Sequence, residues 1–318
     1  MGLPIPRVKK MKENRVFNFI NFVCICVFTF IIIFPIWDII VASFSSPQAQ
    51  ASAGIRLWPK EFSIESYKLV FNDPSIWNAF MISVLKTVVG VITHVFFTAM
   101  VAYGMSKQKL IGRNLYTALG VGTMFFSGGM IPTYLLMKDL GLLDSFWVYI
   151  IPSLFSYFDM IIIMNFFREI PSSLEESATI DGAGVWTIFM KIIMPLSMPV
   201  LATIALFNGV FQWNDYMTAK LYISNEALHP IQMKLYTIIV QQQAQTMQST
   251  TSVVIPTTSL SIQLATIVIA TVPIVLVYPF LRKGMKNGSV KWKGWVLQRL
   301  NSMINHGKSI KCRFPKIV

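Results

Sequence analysis

Uncharged apolar runs of about 20 residues recur along the chain, separated by shorter polar stretches. A helix rising 1.5 Å per residue needs roughly 20 such residues to cross a hydrocarbon core about 30 Å thick. Six windows reach that length: 17–37, 87–106, 114–137, 145–167 (interrupted only by Asp159), 192–214 and 260–281. The pattern predicts an all-α, polytopic membrane protein with six transmembrane helices. The first window is too long for the apolar core of a signal peptide, and no small-residue cleavage site follows it promptly, so it reads as an uncleaved anchor. The chain divides into a basic N-terminus (1–16), a six-helix domain (17–281) and a basic tail (282–318).

Composition agrees. Of 318 residues, 54% are hydrophobic and 13% charged, against about 25% charged in soluble domains. This excludes a disordered, collagenous or disulfide-stapled chain and argues against a soluble enzyme. The net charge of +13 gains meaning from its distribution. Twenty Lys and Arg fall on one side of the six-span topology: in the N-terminus, in the connections around 107–113 and 168–191, and in the tail from Arg282. Six fall on the other: Arg56, Lys60, Lys68, Lys138, Lys220 and Lys234. Positive residues collect on the cytoplasmic side, which places both termini and the 168–195 connection there. The basic surplus then belongs to a lipid surface, not to nucleic acid. Cys24, Cys26 and Cys312 form no disulfide framework, and His94, His229 and His306 have no metal-ligand spacing. The polar segments 45–77 and 222–258, the second rich in Gln, read as long external connectors able to receive a partner or a solute.

The 168–194 connection carries helix punctuation of its own. Pro171 precedes Ser172 and Ser173, and Glu175 and Glu176 stand three residues after each serine, the capping-box spacing. Leu174, Ser177, Ala178 and Asp181 share one face of a short helix, which Gly182 and Gly184 stop. An amphipathic stretch, 185–194, then leads to Pro195. A short helix with small residues at its centre suits a groove in another protein. Its acidic residues argue against a resting place on anionic headgroups.

These residues resemble the signature of the inner-membrane permease subunit of binding-protein-dependent ATP-binding cassette importers. That signature runs E-A-A, a Gly six residues after the Glu, then I-x-L-P. Here it reads Glu176-Ser177-Ala178, Gly182 and Ile192-Ile193-Met194-Pro195. Ser replaces the first Ala and Met replaces Leu. The segment 167–184 is similar to the smaller permease of maltose-type importers, and 126–152 and 213–216 to a subgroup serving oligosaccharides, aldouronates or pectin fragments. The resemblance implies a coupling helix at 172–184, with Glu175, Glu176, Ser177, Ala178, Asp181, Gly182, Ala183, Gly184 and Pro195 as the ATPase-coupling residues. It further implies a bacterial plasma-membrane location, a second permease subunit forming a heterodimer, cytoplasmic ATPase subunits and an extracellular solute-binding lipoprotein. The carbohydrate would enter by alternating access. The tail departs from the family ending: Gly288-Ser289-Val290-Lys291 is followed by a further run to Val318.

Polar residues inside the windows complete the reading. Ionisable groups at membrane depth are costly and face a cavity or a partner. Asp159 lies within the fourth window. Asn208, Gln212 and Asp215 make one stripe at the fifth, beside Phe211. Amide and carboxylate groups among aromatics suit a sugar path; the same stripe also suits helix–helix adhesion, and both readings stand. Lys86 and His94 read as snorkelling or interfacial. No phosphate-binding G-x-x-x-x-G-K-[ST] run exists in the chain, and no nucleophile–base pair can be placed. The chain is therefore expected not to be an enzyme and to hold no cofactor, ATP being hydrolysed by a separate subunit. Two other readings are a stand-alone secondary transporter, which would show paired broken repeats, and an importer permease for a non-sugar solute.

Overall fold

The structure, a computed structural model, describes residues 15–46, 57–59, 61–248 and 260–276. The element order is α1 (Arg15–Ser43), α2 (Glu65–Asn72), α3 (Pro74–Ser106), α4 (Arg113–Phe125), α5 (Met130–Asp139), a 3-10 turn (Phe146–Tyr149), α6 (Tyr157–Glu169) and α7 (Ser172–Ile180). Then follow α8 (Val185–Leu196), α9 (Met198–Asn214), α10 (Met217–Tyr222), a 3-10 turn (Glu226–Leu228), α11 (Ile231–Gln248) and α12 (Leu260–Leu276). The β structure among the described residues is one isolated antiparallel bridge, Ser45 to Phe62. Residues 1–14 of the basic N-terminus, the end of the sixth window (277–281) and the basic tail (282–318) lie outside the described residues.

The chain forms two compact units. The first comprises residues up to Val70 together with Gln245–Val268. Its α1 runs 29 residues, about 44 Å at 1.5 Å per residue, and the residues from Val16 to Ile33 are exposed on every side. Such all-round hydrophobicity is stable only in lipid or against another apolar surface. At its end Phe44 stacks on Phe62 and Tyr67, with ring centroids 5.8 and 4.9 Å apart, and Ser43 Oγ lies 2.8 Å from the Tyr67 hydroxyl.

The second unit comprises, among the described residues, Phe71–Ala244 and 269–276. It is built on α3, 33 residues long. Asp73 caps this helix, its carboxylate accepting from Ser75 N at 2.8 Å, and Pro74 supplies a preset first turn. The helix therefore begins 13 residues before the apolar window that announced it. One buried stripe descends it through Ala79, Ser83, Lys86, Gly90, His94, Thr98 and Ala102. Its mostly small side chains let α6 and α9 approach closely, and these are the helices α3 packs against. The core at one end joins Ala99, Ala102 and Tyr103 of α3 to Met160, Ile163 and Phe167 of α6, Ala178 of α7, Ile188 and Phe189 of α8, and Leu201 and Ile204 of α9. A smaller core at the other end holds Met137, Leu142, Val148, Tyr149, Ala219 and Ile223.

Three expected windows are not continuous helices. The third is α4 plus α5, bent by 113°. Gly128 and Gly129 interrupt it, and Gly129 takes φ +88°, which a glycine adopts without steric cost. The fourth opens as a 3-10 turn and becomes helical only at Tyr157, where Ser156 caps α6. The fifth is α8 plus α9, bent by 78° at Ser197 between Pro195 and Pro199. In the 222–258 connector, read as a loop, residues 231–248 are helical; Leu, Met, Lys and Gln there are strong helix formers, and the polar character of the run disguised it.

Candidate functional site

Two constellations stand out. The first is α7 and its exit. The helix begins at Ser172 after Pro171, with no side-chain cap bond. The capping box expected from Ser172, Ser173, Glu175 and Glu176 is thus not formed. Both serines lie inside the first turn, and Glu175 is engaged elsewhere, by Lys107 at the end of α3. The stop falls at Gly182, as the spacing anticipated. Gly182 has φ +83°, its N–H donates to the Thr179 carbonyl at 3.0 Å, and the Ala183 N–H donates to the Ala178 carbonyl at 2.9 Å. This is the double bond pattern of a Schellman end, with glycine in the left-handed position.

Burial divides the helix. Ala178 is buried in the core and Leu174 packs against it, while Ser177 is half-buried. Glu176, Asp181, Gly182 and Gly184 are exposed, and Ala183 is half-buried. Beside them Ile180 is 86% exposed, Val185 70% and Trp186 56%. These large apolar side chains flank a glycine turn that has open space around it: a Cβ at Gly182 or Gly184 would meet nothing within 4 Å among the described residues. Pro195 is exposed in α8, and the backbone turns two residues later.

The second constellation is a chain of buried polar contacts between α3, the Tyr149–Ser153 segment, α6 and α9. Lys86 is fully buried; its Nζ donates to the Asp215 carbonyl at 2.8 Å and to Asp215 Oδ2 at 3.2 Å, and stands 4.7 Å from the Tyr149 ring centroid. His94, also buried, sets Nδ1 2.7 Å from the Ser153 carbonyl and Nε2 3.0 Å from Asp159 Oδ2. Gln212 Nε2 donates to Ser153 Oγ at 2.7 Å and to the Tyr149 carbonyl at 3.3 Å. Lys86 and His94 therefore neither snorkel nor sit at an interface; each has a partner on another element. Gly90 lies between them, and a Cβ there would come within 3.0 Å of Gln212 Nε2. In the unwound stretch of the fourth window the Tyr149 and Ser153 carbonyls are met by side chains from two neighbouring helices, Gln212 of α9 and His94 of α3, the kind of support that irregular backbone needs away from water.

Of the proposed substrate-path residues, the structure brings Asp159, Gln212 and Asp215 into this network. Asp159 and Asp215 retain 18% and 12% side-chain exposure. Asn208 is buried, and its Oδ1 has no partner among the described residues. Phe211 is 63% exposed and takes no part in this network. Lys86 and His94, which the sequence reads as snorkelling or interfacial, belong to this network, as do Ser153 and Tyr149, which the sequence does not mark. The signal available was the i, i+4, i+8 spacing of Lys86, Gly90 and His94, which sets two ionisable groups and a glycine on one helix face.

Residues 7–286 match the family described as binding-protein-dependent transport system inner membrane component. The chain is 43% identical over 281 residues to the polygalacturonan/rhamnogalacturonan transport system permease protein YtcP of Bacillus subtilis, covering 87% of this chain and 98% of that one. It is 44% identical over 285 residues to Protein LplC of the same organism, covering 88% and 96%. Among solved structures, it superposes with TM-score 0.77 and 31% identity on a chain of a bacterial ABC transporter involved in the import of the acidic polysaccharide alginate, covering 88% of this chain and 99% of that one.

Proposed function

The chain belongs to the family of inner membrane components of binding-protein-dependent transport systems, and on that premise we propose that it carries an oligosaccharide into a bacterial cell by alternating access, with α7 as its coupling helix. It is a transport component and not an enzyme. The observation that carries the coupling role is the division of α7. Its inner face is rooted in the core through Ala178, and its outer face offers Glu176, Ile180 and a glycine turn with free space around it. Such a helix transmits a push from a bound subunit directly into α3, α6 and α9, because all share one core.

In this reading the chain crosses the membrane six times, α4–α5 and α8–α9 being broken spans, with α7 and both termini in the cytoplasm and α11 outside. The twenty-to-six division of basic residues supports this orientation. The partners are a second permease as the other half of a heterodimer, cytoplasmic ATPase subunits that hydrolyse the ATP this chain does not bind, and an extracellular solute-binding lipoprotein. The names of the permease YtcP and of the alginate importer support a carbohydrate substrate, and both name acidic polysaccharides. Closure of the ATPase pair moves α7, and the spans rock about the polar contacts at Tyr149–Ser153. Uptake of labelled galacturonate and neutral oligosaccharides by a deletion strain, with and without the restored gene, tests the reading. A strain that retains all oligosaccharide uptake but loses uptake of peptides or amino acids contradicts it.

A further inference from the structure

We propose that Glu175 is a positioning residue that locks α7 to the end of α3 through Lys107, leaving Glu176 alone of the two adjacent glutamates to meet the ATPase; this rests on the coupling role proposed for α7. Adjacent residues on a helix point about 100° apart, and here the two carboxylates have different surroundings. Glu175 Oε2 accepts from Lys107 Nζ. Glu176 is exposed and makes no ion pair among the described residues.

Lys107 is the residue at which α3 ends, its N–H donating to the Gly104 carbonyl at 3.3 Å. The same ammonium lies 3.9 Å from the centroid of the Tyr103 ring. Tyr103 is buried with its centroid 6.3 Å from Phe167 of α6 and 5.3 Å from Phe189 of α8. One cation therefore joins the Glu175 carboxylate to a ring set in the core that α3, α6, α7, α8 and α9 share. Packing at Ala178 and Leu174 gives α7 one anchor. The ion pair, one turn from Ala178 on a neighbouring face, gives it a second. A short helix held at one point pivots; held at two, it moves with α3. Both partners are about one-third exposed, and a pair that open to water adds little stability. Its contribution is to orientation, carried to the helix that bears Lys86 and His94.

The test uses the assembled transporter, co-purified from the native membrane with its ATPase and second permease and reconstituted with its binding protein. Solute taken up per ATP hydrolysed is measured, together with retention of the ATPase. Glu175→Lys and Lys107→Glu should each lower the ratio about fivefold or more, the lower end of coupling between sites, while the ATPase stays bound. The double exchange Glu175→Lys with Lys107→Glu should restore it. Glu176→Lys should release the ATPase, and Lys107→Glu should not rescue it. If the Glu175 and Lys107 variants keep the parental ratio while Glu176→Lys loses the ATPase, the proposal falls and the coupling role of α7 stands. If the double exchange stays as low as either single change, the proposal also falls. If none of these variants alters ratio or retention, both fall together.

Discussion

Lys86 Nζ lies 3.2 Å from Asp215 Oδ2 and 2.8 Å from the Asp215 carbonyl oxygen, which joins the middle of α3 to the residue that closes α9. The C-terminal end of a helix carries partial negative charge, so the ammonium meets a carboxylate and a helix end together. Asp215 Oδ1 also accepts from Thr218 N at 3.1 Å, so the same side chain begins α10. Removing one partner of a buried pair leaves the other charge uncompensated, at a cost of about 3–5 kcal/mol. Asp215→Ala should therefore reduce membrane abundance and the thermal midpoint in detergent sharply. Replacing both residues, Lys86→Met with Asp215→Leu, should recover part of the loss. Thermal unfolding followed by intrinsic fluorescence checks both variants.

Gly90 is the passage through which Gln212 reaches Ser153. A methyl group there stands 3.0 Å from Gln212 Nε2, and displacing the amide leaves the Tyr149–Ser153 backbone short of a donor. Gly90→Ala should cost about 1–3 kcal/mol, the range for overpacking a fitted core. In a Gln212→Ala background the same change should be nearly free, because the atom it meets is gone. Thermal midpoints of the four proteins in this double-mutant cycle measure the coupling.

Much of this was legible in the chain and much was not. The α7 stop at Gly182 could be read because a glycine after an amphipathic turn has few other uses. The breaks in the third and fifth windows were marked by Gly128-Gly129 and by Pro195 and Pro199, yet hydropathy alone reads straight across them. An apolar residue is equally content in a helix or in a bend. Lys86 was misread because it stands beside its window, where a lysine ordinarily reaches for water; only the fold reveals a carboxylate 129 positions away in sequence. The Glu175 pair with Lys107 was hidden in the same way, since a capping-box spacing offered a local partner that the folded chain does not use.

Gly182 separates strain from docking. An alanine there bears the left-handed conformation at about 1–2 kcal/mol, and its Cβ meets no atom of the described residues within 4 Å. Gly182→Ala should insert normally and lose little transport. Gly182→Val adds local strain at φ +83° and, at an exposed turn, bulk that a bound subunit would meet. It should keep its membrane abundance and its partner permease while transport is uncoupled from ATP hydrolysis or the ATPase is released. Immunoblotting of membranes and co-purification of the other subunits check this.

Asp73 gives α3 a pH-dependent start. Partial burial raises its carboxyl, but the hydrogen bonds from Ser75 and Ile76 and the charge of Lys234 together outweigh that and hold it below the usual carboxylate range. A group whose folded value is depressed stabilises the fold fully above the unfolded value, about 3.9, and loses that contribution as pH falls through the folded value. Asp73→Asn keeps a capping oxygen without the titration, so its stability should vary less with pH below about 4 than the parent's. Asp73→Ala should cost about 1 kcal/mol at neutral pH. Thermal midpoints in detergent from neutral to acid pH check both.

The most direct measurement is cross-linking from single cysteines placed at Glu176, Ile180 and Gln243 in otherwise cysteine-free protein in native membranes. The first two should cross-link to the ATPase subunit, with a yield that changes when nucleotide is added. The third should be labelled by an impermeant reagent in intact cells and never reach the ATPase. Labelling at position 243 only after permeabilisation, together with no ATPase adduct from 176 or 180, would contradict both the orientation of the chain and the role of α7.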